Sequence, residues 1–390
     1  MDLRTLPDGL SPSERITERR HRLATWLATA LSALSIEHPG EADLKNCEQM
    51  IGGVSIPVGY AGPLKMTFSS GEERSLHLPL ATTEGALVAS VNRGCKALSL
   101  CEVATQSIRH GITRSIALRC VLSPWDVKEQ LRRKADEWRA IAESTSNHLQ
   151  LLSYEIDIQD RYLFLTLAAD TDEAMGMNMI TIAAQAVGEW IEQTLGGCVF
   201  VTVAGNVDSD KKANTRTHQR GRGFEAMAEV FLPASIITDV LRASVPTMME
   251  TAHAKLDVGS SIAGSIGHNL QAANVIAALY LATGQDAAHV TEGALADTDV
   301  TRWGDGLKIR VRLPAIIAGV RGGGTGLPAQ SQCLGLLLKE KTALHPCHQL
   351  AESIAAAVLA GEVSLLAAQA SHHLATAHAT LARHSAATAA

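Results

Sequence analysis

A chain of 390 residues, 46% of them hydrophobic, has the material for a sizeable buried core and is not a disordered polymer. Its formal net charge of −6 and its 4% of aromatic residues argue against nucleic-acid or acidic-membrane surfaces, which need basic faces or stacking platforms. Seven cysteines, an odd number with no CxxC pair, fit reduced and mostly buried thiols, not a disulfide framework.

The first residues, "MDLRTLPDGL", lack a basic stretch followed by an apolar core, so no signal peptide is expected. Residues 1–46 read as a helical region, with Ile16, Leu23, Leu27 and Leu31 on one stripe of a helix spanning 13–34. Segments 81–102, 261–284 and 351–383 are rich in Ala, Gly and Ser. That composition suits buried central helices or a large subunit interface. No apolar run is expected to cross a membrane, because Gly361, Glu362 and Ser364 interrupt 354–370. The expected location is cytoplasmic, with no nucleic-acid partner.

Segment 115–203 differs from its surroundings. "SIALRCVL" reads as a strand, followed by a helix to about 142 with Val127, Leu131, Ala135 and Trp138 on one face. "LLSYEIDI" alternates Leu152, Tyr154, Ile156 and Ile158, and "YLFLTLA" returns after "QDR" as the second arm of a hairpin. A helix over 174–195 aligns Met179, Ile182, Ala186, Trp190 and Ile191, and "CVFVTV" closes the unit. The order βαββαβ is that of a ferredoxin-like module. The expected class is α+β: a large helix-rich α/β domain (47–114 and 204–390) carrying an inserted ferredoxin-like domain at 115–203.

GxSxG, HExxH and the Walker P-loop are missing, which counts against common hydrolases, zinc proteases and NTPases. "GTGLPA" (324–329) matches G-x-G-x-x-A, but Pro328 removes a donor, so a glycine turn into a helix is expected. "HPCH" (345–348) lacks a second ligand pair at zinc spacing and reads as a surface loop; no metal is expected. More informative is "AGNVDSDKKANT" (204–215), which sets Lys211 and Lys212 beside Asp208 and Asp210. Glu84, Asp286 and His378 each stand among small apolar neighbours, and Glu84 there should have a raised pKa. Together they supply an oxyanion-stabilising cation, a proton-donating acid and an imidazole for a leaving group, the parts needed to reduce a carbonyl.

From about Cys47 to Arg383 the chain resembles the catalytic portion of 3-hydroxy-3-methylglutaryl-CoA (HMG-CoA) reductase. The matching stretches, in family order, are "IGGVSIPVGYAGPL", "ATTEGALVASVNRGCKA", "EAMGMNMI", "GNVDSDKK", "GSSIAGSIG", "ATGQDAA", "GGGTGLPAQSQCL" and "LAGEVSLLAAQASHHLATAH". "MGMNM" resembles the eukaryotic-type class. The resemblance implies Glu84, Lys211, Asp286 and His378 as the catalytic set. It implies Arg114, Asp210, Lys212, Lys255, Asn274 and Leu365 for the substrate, and Asn92, Arg93 and Ser364 for the CoA. Asn147 and the run Met175, Gly176, Met177 and Asn178 would bind the cofactor, NADPH or alternatively NADH. It implies two hydride transfers that turn HMG-CoA into mevalonate and CoA, in a homodimer or larger oligomer with sites between subunits.

The chain departs from the family pattern at four places. Ala204 and Ala377 replace serines, "GSIGHNLQAAN" is one glycine short with Gln271 at a common histidine position, and Asn147 replaces an arginine that grips the 2′-phosphate. His148 and Arg161 are the candidate replacements for that charge. Two alternatives remain: a related reductase of another carboxylate-bearing acyl thioester, and a catalytically silent interaction subunit.

Overall fold

The computed structural model describes residues 2–371; His378 and Ala377 lie outside the described residues. Nine strands are present among them: β1 Val58–Thr67, β2 Glu73–Ala81, β3 Val103–Cys120, β4 Gln150–Gln159, β5 Tyr162–Asp170, β6 Cys198–Thr202, β7 Gly223–Leu232, β8 Asp297–Trp303 and β9 Gly306–Ile316. The helices of ten or more residues are α1 Pro12–Leu27, α2 Leu87–Leu98, α3 Pro124–Arg133, α4 Ala135–Ser144, α5 Met177–Leu195, α6 Ala272–Thr283, α7 Pro328–Leu337 and α8 Pro346–Ala370.

Strand β3 organises the molecule. Val103–Gly111 pairs with β7 in a sheet ordered β2-β1-β3-β7-β9-β8, whereas Ile112–Arg119 pairs with β5. On that second half the order is β6-β3-β5-β4, all antiparallel. The handover falls at Gly111, whose φ is +87° and where a Cβ would lie 2.8 Å from the Ala169 carbonyl oxygen. Only glycine fits such a crossing without strain. The two regions are therefore joined through one continuous strand and not a linker.

Each region has its own core. Ile116, Leu118, Leu163, Leu165 and Leu167 of the second sheet pack against Val127, Leu131, Trp138, Ile180 and Val187. The larger core surrounds α8, whose apolar and small residues contact β7, α2 and α6. At 25 residues α8 is long and apolar enough to cross a membrane, which corrects the sequence expectation, but 94% of its most apolar window is buried inside the protein. It is a core helix.

Several local expectations change for identifiable reasons. Helix α1 stops at Ala28 in the left-handed conformation, which leaves Leu27 exposed. A break at Lys134 divides the helix expected to reach 142 into α3 and α4. The pairing of β4 shifts between Leu151 and Ser153, turning Leu151 inward and Leu152 out; such a bulge defeats a period of two. Ile182 of α5 is exposed, with Ile180, Ala183, Ala184 and Val187 inside instead. "HPCH" begins α8 and is no surface loop. His345 Nδ1 accepts from the Cys347 amide, and burial pushes the Cys347 thiol up to about 11. All seven cysteines are free, with Cys47 the exposed one. "GTGLPA" does form a short helical turn leading into α7.

Candidate active site

The expected site residues gather at two places, at opposite ends of α6. At its N-terminal end, Asn274 Nδ2 donates to Glu84 Oε1 at 3.2 Å. Glu84 is exposed in an open groove of about 790 Å³, lined by Pro57, Val58, Thr82, Ala86 and Val88. The apolar enclosure expected around Glu84 is not formed by the described residues. Nearby, Arg93 donates through Nε to Ser364 Oγ (3.0 Å) and through NH2 to the Ser364 carbonyl (2.6 Å). Burial holds the Arg93 pKa below its ordinary value. Asn92 Oδ1 accepts from the Gly62 amide at 3.0 Å. Lys255, in a π-helical turn over His253–Gly259, donates to Gln369 Oε1 at 3.2 Å, one turn beyond the half-buried Leu365 on α8.

Beyond the C-terminal end of α6 lies the lysine cluster. Lys211 Nζ is 2.7 Å from Asp286 Oδ2. Burial pushes the Asp286 carboxyl up, but hydrogen bonds from Lys211 and the Ala288 amide outweigh it and leave the pKa below the aspartate norm. Arg114, on β3, has NH1 3.7 Å from Asp208 and 3.8 Å from Asp210. Lys212 is exposed and donates only to the Asp210 carbonyl, at 3.0 Å. The Asp210 carboxylate accepts from Arg222 at 3.0 Å. Burial raises the pKa of Asp208 against the pull of Arg222 and Arg114.

The start of α5 adjoins this cluster. Arg114 Nε donates to Thr181 Oγ1 at 3.1 Å, and Arg222 NH2 lies 3.3 Å from Met177 Sδ. Gly176 precedes the helix with φ +91°, and a Cβ there would fall 2.2 Å from Thr171 Oγ1. No side chain caps the α5 N-terminus, so the first-turn amides of a 19-residue helix remain available to an anion. Met175 packs at the edge of this region's core, and Asn178 and Asn147 are exposed.

Sequence reasoning missed three buried residues behind the lysines. Arg222, 1% exposed, donates to Glu292 at 2.5 Å, and Glu292 is also bonded to His289 at 2.9 Å. Glu292, a carboxylate in the apolar run "HVTEGALA", carries the same signal that singled out Glu84. Arg222 has no comparable signal. Asp210, His289 and Glu292 have ligand atoms within 4.8 Å of one another, but the Arg222 guanidinium fills that cluster as its cation.

Over residues 15–383 the chain matches the family of hydroxymethylglutaryl-coenzyme A reductase. It belongs to that family. It is 42% identical over 351 residues to the 3-hydroxy-3-methylglutaryl-coenzyme A reductase of Methanocaldococcus jannaschii, covering 87% of this chain and 85% of the relative. With the reductase of Blattella germanica it shares 36% over 352 residues, covering 85% of this chain and 40% of that longer relative. Its mixed α+β fold matches the class II reductase of Streptococcus pneumoniae solved with NADPH in open conformations. That likeness has a TM-score of 0.68, 18% identity, and coverage of 90% of this chain and 96% of the other.

Within the reductase family, two departures now have structural settings. Gln271 donates through its side chain to the Gly361 carbonyl (2.7 Å) and through its amide to Glu362 (2.7 Å), so it ties α6 to α8. Arg161 sits at the far turn of the β4–β5 hairpin, about 30 Å of strand from Asn147, and cannot stand in for it. His148 is adjacent but already faces Asp172 at 3.0 Å.

Proposed function

We propose that the chain reduces HMG-CoA to mevalonate and CoA, oxidising two reduced nicotinamides and consuming two protons. The observation that carries this reading is the Lys211–Asp286 pair at 2.7 Å, beside Arg114 and Lys212, in a chain of this family. Arg114, Lys212 and Lys255 are the cations for the substrate carboxylate, and Asn92, Arg93 and Ser364 mark the CoA side.

The order β6-β3-β5-β4, with helices between its strands, supports a ferredoxin-like cofactor unit over 115–203 inserted in the large unit (47–114, 204–390). Residues 1–46 form the N-terminal helical region. The uncapped α5 N-terminus, entered through Gly176, fits a dinucleotide, held by Met175, Gly176, Met177 and Asn178 with Asn147 toward the 2′-phosphate; NADPH is favoured. Reduced nicotinamide supplies hydride when bound.

Lys211 stabilises the acyl oxygen as it becomes negative, in the thiohemiacetal and again in the alkoxide. Asp286 fixes the ammonium in place. Glu84, oriented by Asn274, donates the proton to the alcohol oxygen. His378, assigned by family resemblance, protonates the departing CoA thiolate.

Within one chain, Glu84 and Lys211 attach to opposite ends of α6. The run from Asn274 to Thr283 alone spans about 14 Å, too far for both to contact one acyl oxygen. That separation supports a homodimer in which Glu84 of one protomer meets Lys211 of its partner. Burial of α8 supports a cytoplasmic, membrane-free enzyme. Incubation with HMG-CoA and either NADPH or NADH tests the reading: two nicotinamides oxidised per CoA released is expected, and no oxidation with either overturns it.

A further inference from the structure

A closed circuit of contacts links the Lys211 side chain back to its own main chain. Lys211 Nζ meets Asp286 Oδ2 at 2.7 Å, and the same Oδ2 is 3.9 Å from His289 Nε2. His289 Nδ1 is 2.9 Å from Glu292 Oε2, and Glu292 Oε1 accepts from the Lys211 amide at 2.9 Å. The imidazole of His289 and the carboxylate of Glu292 are fully buried. Lys211 itself has φ +58°, a conformation non-glycine residues adopt only when held. Its amide bond to Glu292 supplies that hold, and Arg222 fixes Glu292 from the other side at 2.5 Å.

His289 Nε2 is the unspent atom of this circuit: buried, without a hydrogen-bond partner among the described residues, and facing the carboxylate that holds the ammonium. Nδ1 lies at bonding distance from a carboxylate and so carries a hydrogen. Nε2 is then a donor only in the imidazolium form, whereas a bare lone pair would oppose Asp286. Asp210, Asp286 and Glu292 surround the ring with carboxylates, with Arg222 and Lys211 beyond them.

We propose that His289 and Glu292 are positioning residues for the reduction, an inference that rests on the reductase reading for its chemistry. Glu292 sets the main chain of Lys211. His289 faces Asp286 with Nε2, 3.9 Å away, and limits how far that carboxylate can move, so that the ammonium points at the acyl oxygen without drawing its counter-ion along. Neither residue touches the substrate.

Asparagine and glutamine divide the two imidazole nitrogens between them, which makes the proposal testable. His289→Asn keeps a donor near the Nδ1 position toward Glu292; His289→Gln keeps one near Nε2 toward Asp286. The full-length dimer of each variant is assayed with HMG-CoA. Lys211 is also acetylated competitively with acetic anhydride and its labelling rate read by mass spectrometry. His289→Asn should lower kcat about tenfold or more at little-changed KM, since small misplacements of a reacting group are costly. It should also label Lys211 several-fold faster. His289→Gln should stay within about threefold of wild type on both measures. Glu292→Gln, which retains an acceptor for the Lys211 amide but not the charge, should fall between them. The reverse order, with Asn benign and Gln damaging, overturns the role of Nε2; wild-type labelling and kcat in all three variants overturns the whole proposal. Should the wild-type protein reduce no HMG-CoA, the reductase reading falls while the labelling order still decides whether this circuit holds Lys211.

Discussion

Mixing two inactive variants should restore activity if Glu84 and Lys211 act across a dimer. Asn274 holds Glu84 at one end of α6, and Lys211 pairs with Asp286 beyond the other. Take Glu84→Gln and Lys211→Ala, each expected to lose ~10²–10³ of the rate. Random assembly of equal amounts makes about half of all dimers mixed. In each mixed dimer one site carries both substitutions and the other carries neither. Intact sites are then about a quarter of the total, so about a quarter of wild-type activity should return. The complementary control mixes the double variant with wild type. Shared sites leave about a quarter of the activity, and sites within one chain leave about half. Co-expression with two different tags, followed by steady-state assay with HMG-CoA, reads both numbers. A mixture that stays at the level of the single variants, with about half retained in the control, refutes the reasoning.

The other predictions concern the cofactor and the N-terminal region. Gly176→Ala should raise the KM for reduced nicotinamide about tenfold or more with little change in the KM for HMG-CoA, because the new methyl group meets Thr171 at the α5 entrance. Asn147→Arg should improve kcat/KM for NADPH over NADH by about tenfold, the worth of one charge-assisted bond to a phosphate; an unchanged ratio in steady-state assays would remove Asn147 from the 2′-phosphate site. Asp43, with a buried side chain, is bonded to Arg15 at 2.7 Å and lies 3.4 Å from Arg19. Hydrogen bonding to Arg15 leads burial and holds its carboxyl below the aspartate norm. A depressed folded pKa stabilises above the unfolded value and is lost as pH falls through the folded one. Asp43→Asn should therefore cost about 1 kcal/mol at neutral pH, and denaturant titrations should show the gap from wild type closing in acid, below the usual aspartate range.

Patterns that depend on one element were legible in the sequence, and those that depend on contacts between elements were not. The βαββαβ order of 115–203 could be read because each strand and helix there announces its own period. The bulge at Leu151 and the break at Lys134 could not, since pairing with β5 and packing under α5 decide them. The same divide runs through the site. Lys211, Asp286, Glu84 and Asn274 stand in motifs long enough to recognise, and the structure brings them together in two pairs. Arg222 and His289 gain their roles only when β7, the segment after α6 and the lysine loop converge, a meeting no spacing encodes. Asp210 adjoins Lys211 in sequence, yet its carboxylate accepts from Arg222 while the Lys211 ammonium pairs with Asp286.

Glu84 and Lys211 each have a buried glutamate behind the segment that carries them, which makes both segments rigid within one chain. Glu362, within α8, accepts from the amides of Leu270 and Gln271 at 2.8 and 2.7 Å and from the Thr298 hydroxyl at 2.7 Å. Those amides lead into α6, so Glu362 fixes the end that carries Asn274 and, through it, Glu84. Glu292 does the corresponding work at the far end, on the Lys211 amide. A buried carboxylate is costly unless its oxygens are hydrogen-bonded, and each of these two has three partners drawn from separate segments. The cost of each is thus offset only when its segments are assembled. In the proposed dimer, association would then only bring two formed surfaces together, without ordering the lysine loop or the start of α6 at that moment.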